Sequence, residues 1–146
     1  MTPDEFIDWL APAAQRICRS YHLYASVCIA QAAIESGWGR YTIGDYNIFG
    51  RKAVAGDLFT EVRTREYYNG ELVSIVDKFK LYSSLEDAIE DWCLLLTQEP
   101  VYVKHIDNTS LETFVQTLAP IYATNPKYAR DILLTIAANQ LTQYDD

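Results

Sequence analysis

Two histidines, three cysteines, one methionine and a small share of basic residues leave few of the common routes to protein chemistry open to this 146-residue chain. His22 and His105 stand alone, outside any metal-ligand spacing, and read as surface or partly buried side chains. Cys18, Cys28 and Cys93 are odd in number, have no zinc-site spacing, and each falls inside an apolar helical pattern. They read as reduced core thiols. With 12 Lys and Arg against 20 Asp and Glu the net charge is −8. No basic stripe is left to track phosphates, which excludes a nucleic-acid binder that works by counterion release. No apolar run reaches the length of a membrane span, so membrane insertion is not expected. The start, Met1-Thr2-Pro3-Asp4-Glu5-Phe6, lacks the basic and hydrophobic regions of a signal peptide. Low-complexity tracts, internal repeats, a Gly-x-Ser-x-Gly elbow, a phosphate loop and a zinc motif are missing as well. Neither a metal nor a cofactor is expected.

What the chain has is apolar content, 49% of its residues, enough at this length to bury a core without staples. Residues 1–146 therefore read as one domain, expected to be a monomer. Thr2-Pro3-Asp4-Glu5 is a capping box with proline at the first helical position, opening a short first helix with Phe6, Ile7 and Leu10 on one face. Pro12 opens a second helix with Ala14, Ile17 and Cys18 inward. A third runs from near Tyr24 to Glu35 and is apolar nearly all round, which makes it the central buried helix.

Gly39, Gly44, Gly50 and Gly56 then punctuate a loop from Gly37 to Phe59, long enough to suggest function. Thr60 to Tyr68 and Glu71 to Tyr82 read as strands around Asn69-Gly70, a strong hairpin signal. A two-residue turn sets Tyr68 opposite Glu71, Glu66 opposite Val73 and Thr64 opposite Ile75, so Glu66 and Thr64 share the more apolar face. Glu61 falls on the other face with Arg63 and Arg65. Glu66 reads either as a second cleft carboxylate or as an edge-strand carboxylate with no catalytic task. A second capping box at Ser83-Ser84-Leu85-Glu86 starts a helix that Pro100 stops. Thr109-Ser110-Leu111-Glu112 starts another, with Phe114, Val115 and Leu118 as its apolar stripe, closed by Pro120, and Asn125-Pro126 opens the last, with Ala129, Ile132, Leu133, Ile136 and Ala137 inward. The fold class is α+β, a mostly helical domain around a buried central helix with one β-hairpin lobe.

The residue most suited to chemistry is Glu35. It ends the buried helix just before Gly37-Trp38-Gly39, where the helix cannot continue, and its neighbours Ile29, Ala32, Ala33 and Trp38 are apolar. Desolvation disfavours the charged carboxylate, so such a group holds a proton near neutrality and can donate it to a leaving group. Trp38 offers a flat apolar wall of the kind on which sugars stack.

Five blocks in order carry a resemblance: Ala30-Gln31-Ala32-Ala33-Ile34-Glu35-Ser36-Gly37-Trp38-Gly39; Asn47-Ile48-Phe49-Gly50 with Lys52-Ala53; Thr64-Arg65-Glu66-Tyr67 with Asn69-Gly70; Phe79-Lys80-Leu81-Tyr82; and Tyr122-Ala123-Thr124-Asn125-Pro126-Lys127-Tyr128-Ala129. Together they resemble glycoside hydrolase family 73, the flagellar and autolysin type of peptidoglycan glucosaminidase. The resemblance implies a lysozyme-like fold that cuts the β-1,4 bond between N-acetylglucosamine and N-acetylmuramic acid in peptidoglycan glycan strands. It implies Glu35 as general acid, Glu66 as a second catalytic carboxylate and Tyr122 as an active-site tyrosine. Trp38, Asn47, Phe49, Thr64 and Tyr128 become the substrate-binding candidates. The chain departs from the family pattern at Arg51, in place of an aliphatic residue, at Ile121, in place of glycine, and at Asn125, in place of aspartate.

Other readings stay open at this level. A muramidase or lytic transglycosylase uses the same scaffold, and a silent glycan-binding or assembly module keeps the fold without the chemistry. The expected place of action is the bacterial cell wall. With no signal peptide in the sequence, the chain reads as phage-encoded, exported by another route, or excised from a longer protein.

Overall fold

The computed structural model describes residues 1–65 and 68–146 in full and, at Glu66 and Tyr67, the backbone alone. Among the described residues the order is α1 (Pro3–Ser20), α2 (Ala25–Ser36), β1 (Phe59–Tyr68), β2 (Glu71–Lys80), α3 (Leu85–Gln98), α4 (Pro100–His105), α5 (Leu111–Tyr122) and α6 (Tyr128–Ala138), followed by a 3₁₀ turn at Leu141–Tyr144. This is the expected α+β, mostly helical architecture.

Helix α2 is the axis of the molecule. From Ala25 through Ala33 every residue is buried, as is Ser36. Ala30, Ala32 and Ala33 carry only a methyl group, which lets α1 and α6 pack closely against its two sides. Its N-cap residue, Tyr24, has no capping side chain. The cap comes instead from the far end of the chain: Asp145 accepts hydrogen bonds from Ser26 N (2.8 Å) and Ser26 Oγ (2.5 Å). A carboxylate at a helix N-terminus satisfies free N–H groups and complements the helix dipole. Cys18, Cys28 and Cys93 are free and buried where α1, α2 and α3 meet. The Cys18 thiol is held protonated by its hydrogen bond to Cys28 and by burial, and Cys93 by its bond to Cys18 and by burial.

The hairpin adopts the expected register, Tyr68 with Glu71 and Thr64 with Ile75. Its better covered face holds Val62, Thr64, Ile75 and Phe79. No helix among the described residues is long and apolar enough to cross a membrane.

Proline positions account for most of the departures. Pro12 does not open a second helix, because α1 runs through it to Ser20. A proline inside a helix deprives the carbonyl four residues back of its donor. Here that carbonyl belongs to Asp8, and both Pro12 and Asp8 face solvent, where water replaces the bond. Pro120 likewise lies within α5, which continues to Tyr122, with Pro120 and Gln116 both exposed. Pro100 ends α3 and then serves as the first residue of α4, a short helix that the sequence pattern did not reveal. The second capping box is one-sided: Ser84 Oγ accepts from Asp87 N, while the Asp87 carboxylate accepts from Ser83 Oγ. Asn125-Pro126 forms a turn before α6, and Ala137 faces outward.

The exposed proline within α1 makes a direct prediction. Pro12→Ala restores a donor to Asp8 and removes the ring's clash, so it should stabilise the fold by about 2 kcal/mol after allowing for the freer unfolded chain. Urea unfolding reads this as a higher midpoint at unchanged slope.

Candidate active site

Glu35 stands in the last turn of α2, and the chain beyond it is shaped to leave its carboxyl free. Gly37 turns left-handed at φ 57°, and Trp38 N–H bonds back to Ala33 O at 2.9 Å. Ser36 is turned inward, its hydroxyl donating to Ala32 O (2.7 Å) and accepting from Gly39 N (2.9 Å). A glycine takes this backbone turn without steric cost, which closes the helix within one residue of the acid.

The Glu35 side chain leans over a cleft of about 920 Å³, lined among others by Phe49, Gly50, Arg51, Tyr102, Tyr122 and Thr124. One flank of the residue is open to that cleft, while the other is desolvated against the protein. Burial raises its carboxyl above the ordinary glutamate range, and a hydrogen bond from Tyr128 opposes part of that rise. The negative pole of α2 acts in the same direction as burial, since no basic side chain lies in its last turn. Tyr128 Oη donates to Glu35 Oε1 at 2.9 Å. The other oxygen, Oε2, lies beside Gly50, where an added Cβ would come within 3.4 Å of it. Gly50 has φ 66°, so both the conformation and the space favour glycine there.

Tyr122 is reached from α5. Its hydroxyl donates to Phe49 O at 3.2 Å, and its ring stacks on Tyr128 at 6.0 Å and 7°. Burial pushes both hydroxyls well above the usual tyrosine range, so they act as neutral donors. Phe49 is buried and stacks on Trp92, so it shapes the cleft wall from behind. Tyr128 is buried too and meets Glu35 rather than open cleft.

Two expected substrate contacts have other work. Trp38 packs edge-on against Phe6 at 6.0 Å and is not part of the cleft lining, because the left-handed turn at Gly37 and Trp38 swings its ring toward α1. Asn47 is buried, donating to Arg51 O (2.9 Å) and Lys80 O (2.8 Å) and accepting from Arg51 N (3.0 Å). It fastens the loop that carries Phe49 and Gly50 to the base of β2. Thr64 lies on β1, and its buried hydroxyl oxygen has no hydrogen-bond partner among the described residues. The side chain of Glu66 lies outside the described residues.

Three contributions were missed in reading the sequence. Asp91 on α3 accepts from Arg51 Nε (3.3 Å), Lys80 Nζ (3.3 Å) and Tyr82 Oη, which anchors the Arg51 guanidinium at the cleft edge. Burial would raise the Asp91 carboxyl, but the Tyr82 hydrogen bond and the two cations overcome it and hold it below the ordinary aspartate value. Gln31 and Trp92 stand behind Tyr128: Trp92 Nε1 donates to Gln31 Oε1 (2.9 Å), and Gln31 Nε2 donates to Tyr128 Oη (3.0 Å). A signal for this was present, since one amide in an otherwise apolar buried helix must find partners. No group of three or more His, Cys, Asp or Glu among the described residues could hold a metal ion.

The arrangement combines a carboxyl of raised pKa facing an open cleft with neutral phenolic hydroxyls and a cation at the rim. Comparison with known proteins gives the same direction. A sequence profile described as mannosyl-glycoprotein endo-beta-N-acetylglucosaminidase, the Glucosaminidase family, matches residues 11–141. An autolysin of Enterococcus faecalis is 36% identical over 99% of this chain and 21% of its own length. The peptidoglycan hydrolase FlgJ of Escherichia coli is 38% identical over 87% of this chain and 44% of its own. The chain thus spans less than half of these curated relatives. Among solved structures, the catalytic domain of the autolysin Auto from Listeria monocytogenes superposes with a TM-score of 0.85 at 31% identity, covering 98% of this chain and 87% of that one.

The Asn47 clamp can be tested with an almost isosteric change. Asn47→Asp keeps the acceptor but loses both donors and sets a charge against two carbonyls, which should cost about 2–3 kcal/mol. Urea unfolding measures that loss, and limited proteolysis should then cut first between residues 43 and 52.

Proposed function

The chain belongs to the glucosaminidase family of glycoside hydrolases, and from that premise we propose that it cleaves peptidoglycan glycan strands at the β-1,4 bond between N-acetylglucosamine and N-acetylmuramic acid, with Glu35 as general acid. The observation that carries this reading is a carboxyl exposed to a cleft of about 920 Å³ yet desolvated enough on its protein side to be raised in pKa. A glycosidic bond breaks when its oxygen is protonated as the sugar carbon gains oxocarbenium character. Glu35 supplies that proton. Tyr122, a neutral hydroxyl on the cleft wall, orients the sugar or its N-acetyl group. Phe49, through its carbonyl, sets the position of Tyr122. From the family resemblance, Thr64 is assigned to glycan contact and Glu66 to the role of second carboxylate.

The second half of the reaction needs a group that activates water or captures the cationic carbon. Glu66 performs it, or the substrate's own 2-acetamido oxygen does, and the two are separated by mutation. The place of action is the bacterial cell wall, reached by this domain alone or as part of a longer protein, and the reaction requires neither metal nor cofactor.

Purified peptidoglycan digested by the protein, reduced with borohydride and analysed by mass spectrometry should yield reduced glucosamine ends. Reduced muramic acid ends would make it a muramidase, and anhydro ends a lytic transglycosylase. Glu35→Gln cannot carry the proton and should lower the rate by about a thousand-fold or more, at an unchanged melting temperature. A wild-type rate in that variant would remove Glu35 from the role. Glu66→Gln should lose nearly all activity if it is the base and about ten-fold if the acetamido group does that work.

The pH dependence has a definite sign. The acid form of Glu35 is the active one, and burial raises its pKa, so activity should persist above the ordinary glutamate range and fall as pH rises through the Glu35 value. Initial rates of turbidity loss across pH check this.

A further inference from the structure

Helix α2 carries a single buried amide, Gln31, and it is joined to the cleft by a chain of hydrogen bonds with only one possible direction. Trp92 Nε1–H can donate but has no lone pair to accept with. Gln31 must therefore turn its Oε1 toward Trp92, at 2.9 Å, and its Nε2 toward Tyr128, at 3.0 Å. With an N–H pointing at its oxygen, the Tyr128 hydroxyl cannot aim its own proton back at Gln31. That proton goes to Glu35 Oε1, at 2.9 Å. All three groups behind Glu35 are buried, so water does not scramble the order.

We propose that Gln31 and Trp92 are positioning residues that decide which oxygen of Glu35 bears the acid proton. An oxygen that accepts from Tyr128 is the carbonyl oxygen of the protonated acid, which leaves the proton on Oε2. Oε2 is the oxygen beside Gly50, on the cleft side. Without a fixed direction, the Tyr128 hydroxyl can also accept from Glu35, and the acid proton then sits on Oε1, turned away from substrate. Such an enzyme would hold its proton more firmly and use it less often. The inference rests on Glu35 being the general acid.

The experiment compares wild type with Gln31→Met, Trp92→Phe, Tyr128→Phe and the Gln31→Met/Tyr128→Phe pair, each shown to be folded by its melting curve. Rates on peptidoglycan are followed across pH, and the Glu35 carboxyl is titrated by ¹³C NMR. Gln31→Met should lower kcat by about ten-fold with KM little changed, and should move both the basic limb and the Glu35 titration to higher pH. Trp92→Phe should move them in the same direction by less. The pair should match Tyr128→Phe alone, because Gln31 acts through Tyr128. A merely structural role predicts lower melting temperatures, a titration like wild type, and effects that multiply in the pair, and that result would overturn the proposal. Should Gln31→Met not fold, an unshifted titration in Trp92→Phe overturns it instead. A Glu35→Gln enzyme with wild-type activity sinks the assignment of the acid and this inference together. An inactive Glu35→Gln enzyme beside an unshifted Gln31→Met titration sinks this inference alone.

Discussion

A helix enclosed on every side has room for a charge only where it ends. Helix α2 is buried from Ala25 through Ala33, Ile34 is half-buried, and Glu35 is its first exposed position. That one constraint sets the others. The Glu35 carboxyl is partly desolvated, because one flank faces the core that made the helix possible. It sits at the negative pole of the helix, which disfavours ionisation further. It needs a fast termination behind it, which Gly37 supplies, and a backbone that comes close without a side chain in front of it, which Gly50 supplies.

The same constraint explains how the loop between α2 and β1 is held. A loop this long stays ordered only if its backbone polar groups are satisfied. Asn47 and the base of β2 do this, and the Asp91 cluster ties Arg51 to α3. One wall of the cleft is therefore fixed from two elements at once, β2 and α3. The protein carries an excess of negative charge, yet the groove itself is edged by the Arg51 cation.

Much of this was legible from local signals. The buried helix, the Thr2 capping box, the hairpin register and the burial of the three cysteines follow from periodicity, cap chemistry and a two-residue turn, all short-range rules. Pro12 and Pro120 were misread for a physical reason: a helix tolerates an interior proline more readily where the orphaned carbonyl faces water, and exposure belongs to the tertiary fold. The Asp145 cap on α2 and the Gln31–Tyr128 and Gln31–Trp92 bonds join residues 119, 97 and 61 positions apart, beyond any local pattern. Trp38 looked like a sugar platform because of its neighbours in sequence, and the left-handed turn at Gly37 and Trp38 turned it toward Phe6, half-buried at the edge of the core.

The order in which these pieces appear during synthesis gives the Asp145 cap a further meaning. A chain made from its N-terminus exposes Glu35 early, but Tyr128 follows in α6 and Asp145 comes after that. Until those residues emerge, α2 lacks both the carboxylate that closes its first turn and the hydroxyl that steadies its last side chain. Completion of the surroundings of Glu35 is thus coupled to completion of the fold, and a partly made copy of this chain contains the glutamate without its setting.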